Sequence, residues 1–439
     1  MGAKKEAIIQ TAALDATDLQ GKDPLDRAFI ALMMIWAFSI PLFIAVAELA
    51  MWMAAALWAV RWVRGEVRAE SSAIEIPDPG PAGDAFALIG APIFAFYGVS
   101  FLSAMLSRDQ VESLWDLREV FLFTAPLVTY AAFRHTRLRR WGIYSFAAGV
   151  FVAVVWGYGQ VAFSVDEGFR PSGPLSHYMT YAGVLMLAVP LLLAVRDGWR
   201  TIVMQLLAVL TLAMVGLTMT RSAWLGCAAA LLVFLACRFV TGTEGSGRAR
   251  RPRLAVYGVT IVVGIIVIAL LLLSFAGHEA VMERGASIFD PANATNVDRL
   301  AMAATGLRLI ANYPVLGIGP GLMAEVYPAW AVEWAVRQDN PHLHNNVLQI
   351  AAERGLLGLT MWLWMMAAFF VGAWRVLRYS GPHGEGGPEA RAAIAALAGF
   401  LVMGMFEYNF SDSEVLMALL FILTLPIAAS AGLANKNGG

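Results

Sequence analysis

Between residues 28 and 433 the chain keeps returning to apolar runs of about 20 residues, the length an α-helix needs to cross the hydrocarbon core of a bilayer. Such runs lie at 28–43, 44–63, 84–106, 115–133, 142–163, 178–195, 201–219, 222–240, 254–275, 356–377, 389–408 and 415–433. With 59% hydrophobic and 14% charged residues, the chain is far more apolar than a soluble domain can be. The predicted fold is therefore an all-α, polytopic membrane helical bundle of about 12 transmembrane helices. Residues 28–63 form one run broken by Pro41 and Glu48, too long for a single crossing, so a tight hairpin is expected near Pro41.

Arginines in alternate short loops set the orientation. Arg134, Arg137, Arg139 and Arg140 fall in one, Arg196 and Arg200 in the next, then Arg238, Arg248, Arg250, Arg251 and Arg253, then Arg375, Arg378 and Arg391. These loops are expected in the cytoplasm, with both termini. The predicted organisation is a cytoplasmic tail (1–27), transmembrane helices (28–275), one large outer loop containing helices (276–355), further transmembrane helices (356–433) and a short cytoplasmic tail (434–439). The Gly/Pro-rich stretches "TGTEGSGRARRPR" and "GPHGEGGPEA" read as mobile cytoplasmic linkers.

Several classes are disfavoured at once. A net charge of -1 and the lack of zinc-finger or RNA-binding spacings argue against nucleic acid. Cys227 and Cys237 share one apolar segment and read as small buried hydrophobes. The opening "MGAKKE" has Glu6 where a myristoylation motif needs Ser or Thr, and residues 1–27 lack a cleaved-signal pattern. No HExxH cluster, Asp-x-Asp pair or GxxxxGK[ST] loop appears, so no metal, cofactor or nucleotide is expected, and "GIGPG" reads as a turn.

The polar residues that remain gather on the outer side. "TNVDRLAMAATGLRLIANYP" reads as an amphipathic helix with Asn or Thr as cap, Asp298 in its first turn, an apolar face of Leu300, Ala304, Leu307 and Ala311, and a stop at Pro314. Arg299 and Arg308, nine residues apart, need not share a face. The aromatic stretch "YPAWAVEWAV" suits a chain lying at the headgroup layer.

In "NPHLHNNVLQIAAERGLLGL" a helix is expected from His342–His344, with Gly355 ending it and Asn345, Gln349 and Glu353 on its polar side. His344 in a first turn would be kept neutral by the helix dipole and able to accept a proton beside an anion. His342 is the rival base, and its ring is expected to point elsewhere. The plainer reading is a histidine capping the helix among headgroups. Arg221, at an outer turn against the positive-inside bias, calls for an anionic partner, either a substrate or lipid phosphates.

"TMTRSAWLG", "DRLAMAATGLRLIANYPVLGIGPG" and "HNNVLQIAAERGLLGL", in this order, resemble signature stretches of the O-antigen ligase and O-antigen polymerase superfamily. The resemblance spans residues 170–425 and implies a metal-independent inner-membrane glycosyltransferase. It would pass a glycan from undecaprenyl pyrophosphate to an acceptor, lipid A-core for a ligase, on the periplasmic face. It places the family's first arginine on Arg221, its loop arginine on Arg299 and its histidine on His344, with Thr220 and Ser222 departing from the usual flanks. "RPSGPLSHYMTYAG" and "FEYNFSDSEV" also look like family stretches. They make Arg170 and His177 candidates for substrate contact and Glu407 and Asp412 possible supports. Arg308, Asn345 and His342 complete the candidate binding set.

The single large outer loop leans towards a ligase over a polymerase. A lipid-linked glycan transporter would carry ionisable groups in several spans, whereas Glu48 is the main one here. A membrane scaffold would leave the outward arginines unexplained.

Overall fold

The computed structural model describes residues 23–64, 85–164, 169–240, 286–287 and 290–437. Among them every regular element is a helix: α1 (Pro24–Ser39), α2 (Ile44–Val63), α3 (Ala85–Met105), α4 (Gln110–Asp116), a 3-10 turn (Leu117–Phe123), α5 (Thr124–Phe133), α6 (Thr136–Phe163), α7 (Tyr178–Ala194), α8 (Arg200–Leu217), α9 (Arg221–Val240), α10 (Ala294–Asn312), α11 (Met323–Trp330), α12 (Asn346–Ser380), α13 (Gly387–Met403) and α14 (Ser413–Asn437). Among the described residues six stretches are long and apolar enough to cross a membrane: α2, α6, α8, α12, Leu88–Met105 in α3 and Ser413–Ser430 in α14. Tyr178–Ala194 and Arg221–Cys237 are shorter apolar helices. The expected span at 254–275 and the linker at 241–253 lie outside the described residues.

α7, α13 and α14 form the centre of the bundle, buried along most of their length, while the other long helices leave large apolar side chains exposed. Phe421 on α14 meets Trp36, Phe133 and Phe146 from α1, α5 and α6. With lipid as solvent, close backbone approach at small residues must supply much of the attraction between helices. α9 and α13 show it at Gly226 and Gly399: a Cβ on either would sit 2.9 Å from the other's carbonyl oxygen.

The hairpin near Pro41 is present, with Ile40–Phe43 between α1 and α2. The span expected at 115–133 is instead jointed into α4, the 3-10 turn and α5, leaving only 10 residues in the last piece. The "GPHGEGGPEA" stretch is tied down rather than loose: Glu385 and Glu389 both pair with buried Arg139. Residues 434–437, expected as tail, continue α14.

α12 breaks where Gly355 was expected to end it, then resumes. Gly355 has φ +67°, conformational space that favours glycine. The backbone groups freed by this break are taken up by the "YPVLGIGPG" turn. Ile318 and Gly319 donate to the carbonyls of Ala352 and Glu353, and Leu356 and Leu357 donate to those of Pro314 and Val315. A Cβ at Gly355 would overlap the Val315 carbonyl. The layer formed by α10 and α11 is thereby locked onto α12.

Candidate active site

α7 and α13 fix the ends of the bundle. One end gathers three of the basic loops, from Thr136–Tyr144, Val195–Asp197 and His383–Glu389, around a cavity of about 340 Å³. The other holds a cavity of about 390 Å³ lined by Arg170, Arg221, Arg299, Arg337, Asp298, His344 and Glu407 among others. Tyr178 at the start of α7 lines the second and Ala194 at its end lines the first, about 24 Å apart along the helix.

Each cation reaches this cavity by a different local device. Arg221 opens α9 after the short turn Thr218–Thr220, is only 7% exposed, and donates to the carbonyl and hydroxyl of Ser287 at 2.7 and 3.0 Å. Arg170 donates to the Thr218 carbonyl (2.8 Å) and Thr220 hydroxyl (3.1 Å), its guanidinium 3.5 Å from the centre of the Tyr178 ring. Arg299, on α10, donates to Oε1 of Glu407 at 3.0 Å. Arg337 hangs from a loop whose backbone N–H is held by Asp298 at 3.2 Å.

His344 lies in the residue before the helix cap, not in the first turn as expected. Asn345 is the N-cap, its side chain accepting from the Leu348 N–H, and α12 starts at Asn346. Nδ1 of His344 lies 2.9 Å from Oε2 of Glu407. A carboxylate only accepts, so this bond puts the ring hydrogen on Nδ1 and leaves Nε2 as a lone-pair acceptor. Glu407 thus joins Arg299 through one oxygen and His344 through the other. His344 has φ +47° and Met219, two residues before Arg221, has φ +52°. These are the two non-glycine residues at positive φ among those described, and both flank the cavity. Strained backbone of this kind persists where the surroundings over-determine it, commonly at functional sites.

The adjacent asparagines hold the Glu407 loop. Asn345 donates to the Met405 carbonyl, and the Asn346 side chain donates to Asn409 and accepts from the Phe410 N–H. The Asn346 backbone N–H donates to the Gly404 carbonyl at 2.7 Å. Asn345, expected to touch substrate, is therefore occupied in capping and bracing and does not line the cavity. The polar side expected on this helix turns inward: Gln349 and Glu353 are buried and hydrogen-bonded to each other.

Other expectations change in the same way. His342 and His344 do not diverge; their rings sit 4.1 Å apart, edge to face, because the segment is not helical there and Leu343 turns inward. His342 does not line the cavity, and burial pushes its imidazole down to about 4, with the neighbouring His344 adding to the shift. His177 caps α7 by accepting from the Met179 N–H, and burial lowers its pKa. Asp412 sits beneath the Glu407 loop, accepting from the Thr180 hydroxyl, and burial raises its carboxyl to about 7. Arg308 is exposed on α10 and does not line the cavity. α10 itself starts one residue after its Asn293 cap, earlier than expected. Asp298, Ala301, Met302, Thr305 and Leu309 face the protein, while Leu300 and Leu307 face outward.

Residues 206–363 match the family model described as O-antigen ligase. Over that stretch the chain is similar to the O-antigen ligase family. No curated protein matches the chain. The matched stretch runs from α8 into α12 and holds Arg221, Arg299 and His344, whereas Arg170 and Glu407 fall outside it. O-antigen ligase family members are membrane glycosyltransferase-like enzymes, ligases and polymerases. Arg337 was missed by sequence reasoning, because beside Gln338 and Asp339 it reads as a solvated charge. The Asp298 contact, 39 residues away in the chain, holds its backbone beside the cavity. Among the described residues no three of His, Cys, Asp and Glu converge as metal ligands.

Proposed function

We propose that the protein is an O-antigen ligase in the strict sense: a metal-independent, inverting glycosyltransferase that moves a glycan from undecaprenyl pyrophosphate to lipid A-core. The cavity end of the bundle then faces the periplasm and the basic end the cytoplasm of a bacterial inner membrane, as the distribution of arginines favours. The observation that carries the reading is the convergence of Arg221, Arg299 and His344, from three separate stretches of chain, on one cavity.

In this mechanism Arg221 and Arg299 hold the diphosphate and stabilise the negative charge that grows on it as the sugar departs. Glu407 occupies one side of Arg299 and leaves its other donors for phosphate oxygens. His344 takes the proton of the acceptor hydroxyl on Nε2, and Glu407 stabilises the imidazolium that forms. The acceptor oxygen bonds to the anomeric carbon as the bond to the diphosphate oxygen breaks on the opposite face, inverting that centre. Arg170 supports the same anion from the α7 side.

The test is to replace His344 by Ala in a strain lacking the native gene and examine surface polysaccharide. Accumulated lipid-linked glycan with loss of capped core, at unchanged protein level, is the expected result. Unchanged transfer removes His344 from the mechanism, and loss of long glycan chains while single units still reach the core identifies a polymerase instead.

A further inference from the structure

α10 is apolar on two sides. Its inner side packs on the protein through Ala301, Met302 and Leu309. On the opposite side, Leu300 is 60% and Leu307 59% exposed, seven residues apart on one face, with Ala304 and Ala311 between and beyond them at helical spacing. The first charged neighbour on that flank is Arg308, exposed, followed by exposed Asn312.

This outward stripe continues onto a membrane-crossing helix. α10 ends at Asn312, and the chain runs through Tyr313 and Pro314 to Val315, 63% exposed. The Val315 carbonyl accepts from the Leu357 N–H and the Pro314 carbonyl from that of Leu356. Leu356 and Leu357 are themselves exposed and begin a stripe on α12 that passes through Leu363, Trp364 and Phe370 along a predicted span. A surface that joins the lipid-facing side of a span has the lipid as its natural neighbour.

We propose that α10 lies in the surface of the bilayer at the cavity end, its Leu300–Leu307 stripe seated among the acyl chains of that leaflet and Arg308 among the headgroups. Arg299 is next to Leu300 in the chain and lines the cavity, so this seating brings the cavity to headgroup depth. A lipid-borne diphosphate is then met at the depth where it already resides. The inference requires only that the chain spans a membrane, and its failure would leave the chemical proposal above untouched.

The experiment uses the full chain in lipid nanodiscs at one copy per disc, with the buried Cys227 and Cys237 replaced by Ala. Nitroxide labels are attached singly through Leu300→Cys, Leu307→Cys, Arg308→Cys and Asn312→Cys. Collisions with oxygen, which concentrates in lipid, and with a nickel chelate, which stays in water, are then measured. Oxygen is expected to dominate at 300 and 307, and the chelate at 308 and 312, by several-fold in each case. Chelate dominance at all four sites places the stripe in water and overturns the proposal. Exclusion of both reagents at 300 and 307 means protein covers the stripe, which overturns it as well.

Discussion

Two charged cavities lie at opposite ends of α7, and their charges are arranged in opposite ways. At the basic end, Arg139 is fully enclosed and meets Glu389 at 2.9 Å and Glu385 at 3.5 Å, while Asp197 is held by Arg200 and Tyr144. Cations and anions there answer one another within the protein. At the other end four arginines line the cavity against two carboxylates, Asp298 and Glu407, an excess of two positive charges. A low-dielectric concavity with uncancelled charge concentrates counter-charged ligands, whereas a cancelled cluster ties helices together. Charge alone does not mark a site; charge left over by the fold does.

The sharpest way to break this comparison is chemical. His344→Ala removes the proposed base and should lower transfer by about 10²–10⁴-fold, measured as capped core formed in membranes, while Arg139→Ala should leave the rate per folded molecule unchanged. Next come Arg221→Ala and Arg299→Ala, each expected to cost about 10²–10³-fold in rate. In those two variants inorganic pyrophosphate should also lose its ability to raise the melting temperature, an ability that Arg139→Ala keeps.

The basic end should respond in stability instead. Arg139→Ala takes the enclosed cation away from the part-buried Glu385 and Glu389, and a loss of about 3–5 kcal/mol is expected from chemical denaturation in detergent. The smallest effect belongs to Asp412. Burial holds its carboxyl at about 7, outweighing the Thr180 hydroxyl, against about 3.9 in an unfolded chain. Its contribution is therefore most favourable below about pH 4 and is lost as pH rises towards 7. Asp412→Asn should narrow the gap in melting temperature between pH 5 and pH 8. An unchanged gap would show that this carboxyl ionises freely.

Much of this was legible in the residues, and the failures share a cause. The hairpin at Pro41, the break at Gly355 and the turn before Arg221 are local events, written in proline, glycine and an apolar run's end. Arg221, Arg299 and His344 could be named from motifs, and the fold brings them to one cavity. What could not be read is which way an amphipathic face turns inside a membrane protein. With lipid on one side and protein on the other, apolar residues suit both, so an amphipathic pattern alone leaves open which way the Leu300–Leu307 stripe turns, and it lies outward. The polar Gln349–Glu353 side lies inward, where those two side chains satisfy each other. Arg337 and the position of His344 depend on contacts between distant segments, which no local pattern encodes.

The mutual bonding of the "YPVLGIGPG" turn with the broken backbone of α12 has a further consequence. Surface connections usually tolerate added or removed residues, yet this one is stitched at both edges, in both donor directions, to a helix that also begins beside His344. It acts as a ruler: lengthening it by a single residue would shift the register of Ile318 and Gly319 and change the height of the imidazole relative to Arg299.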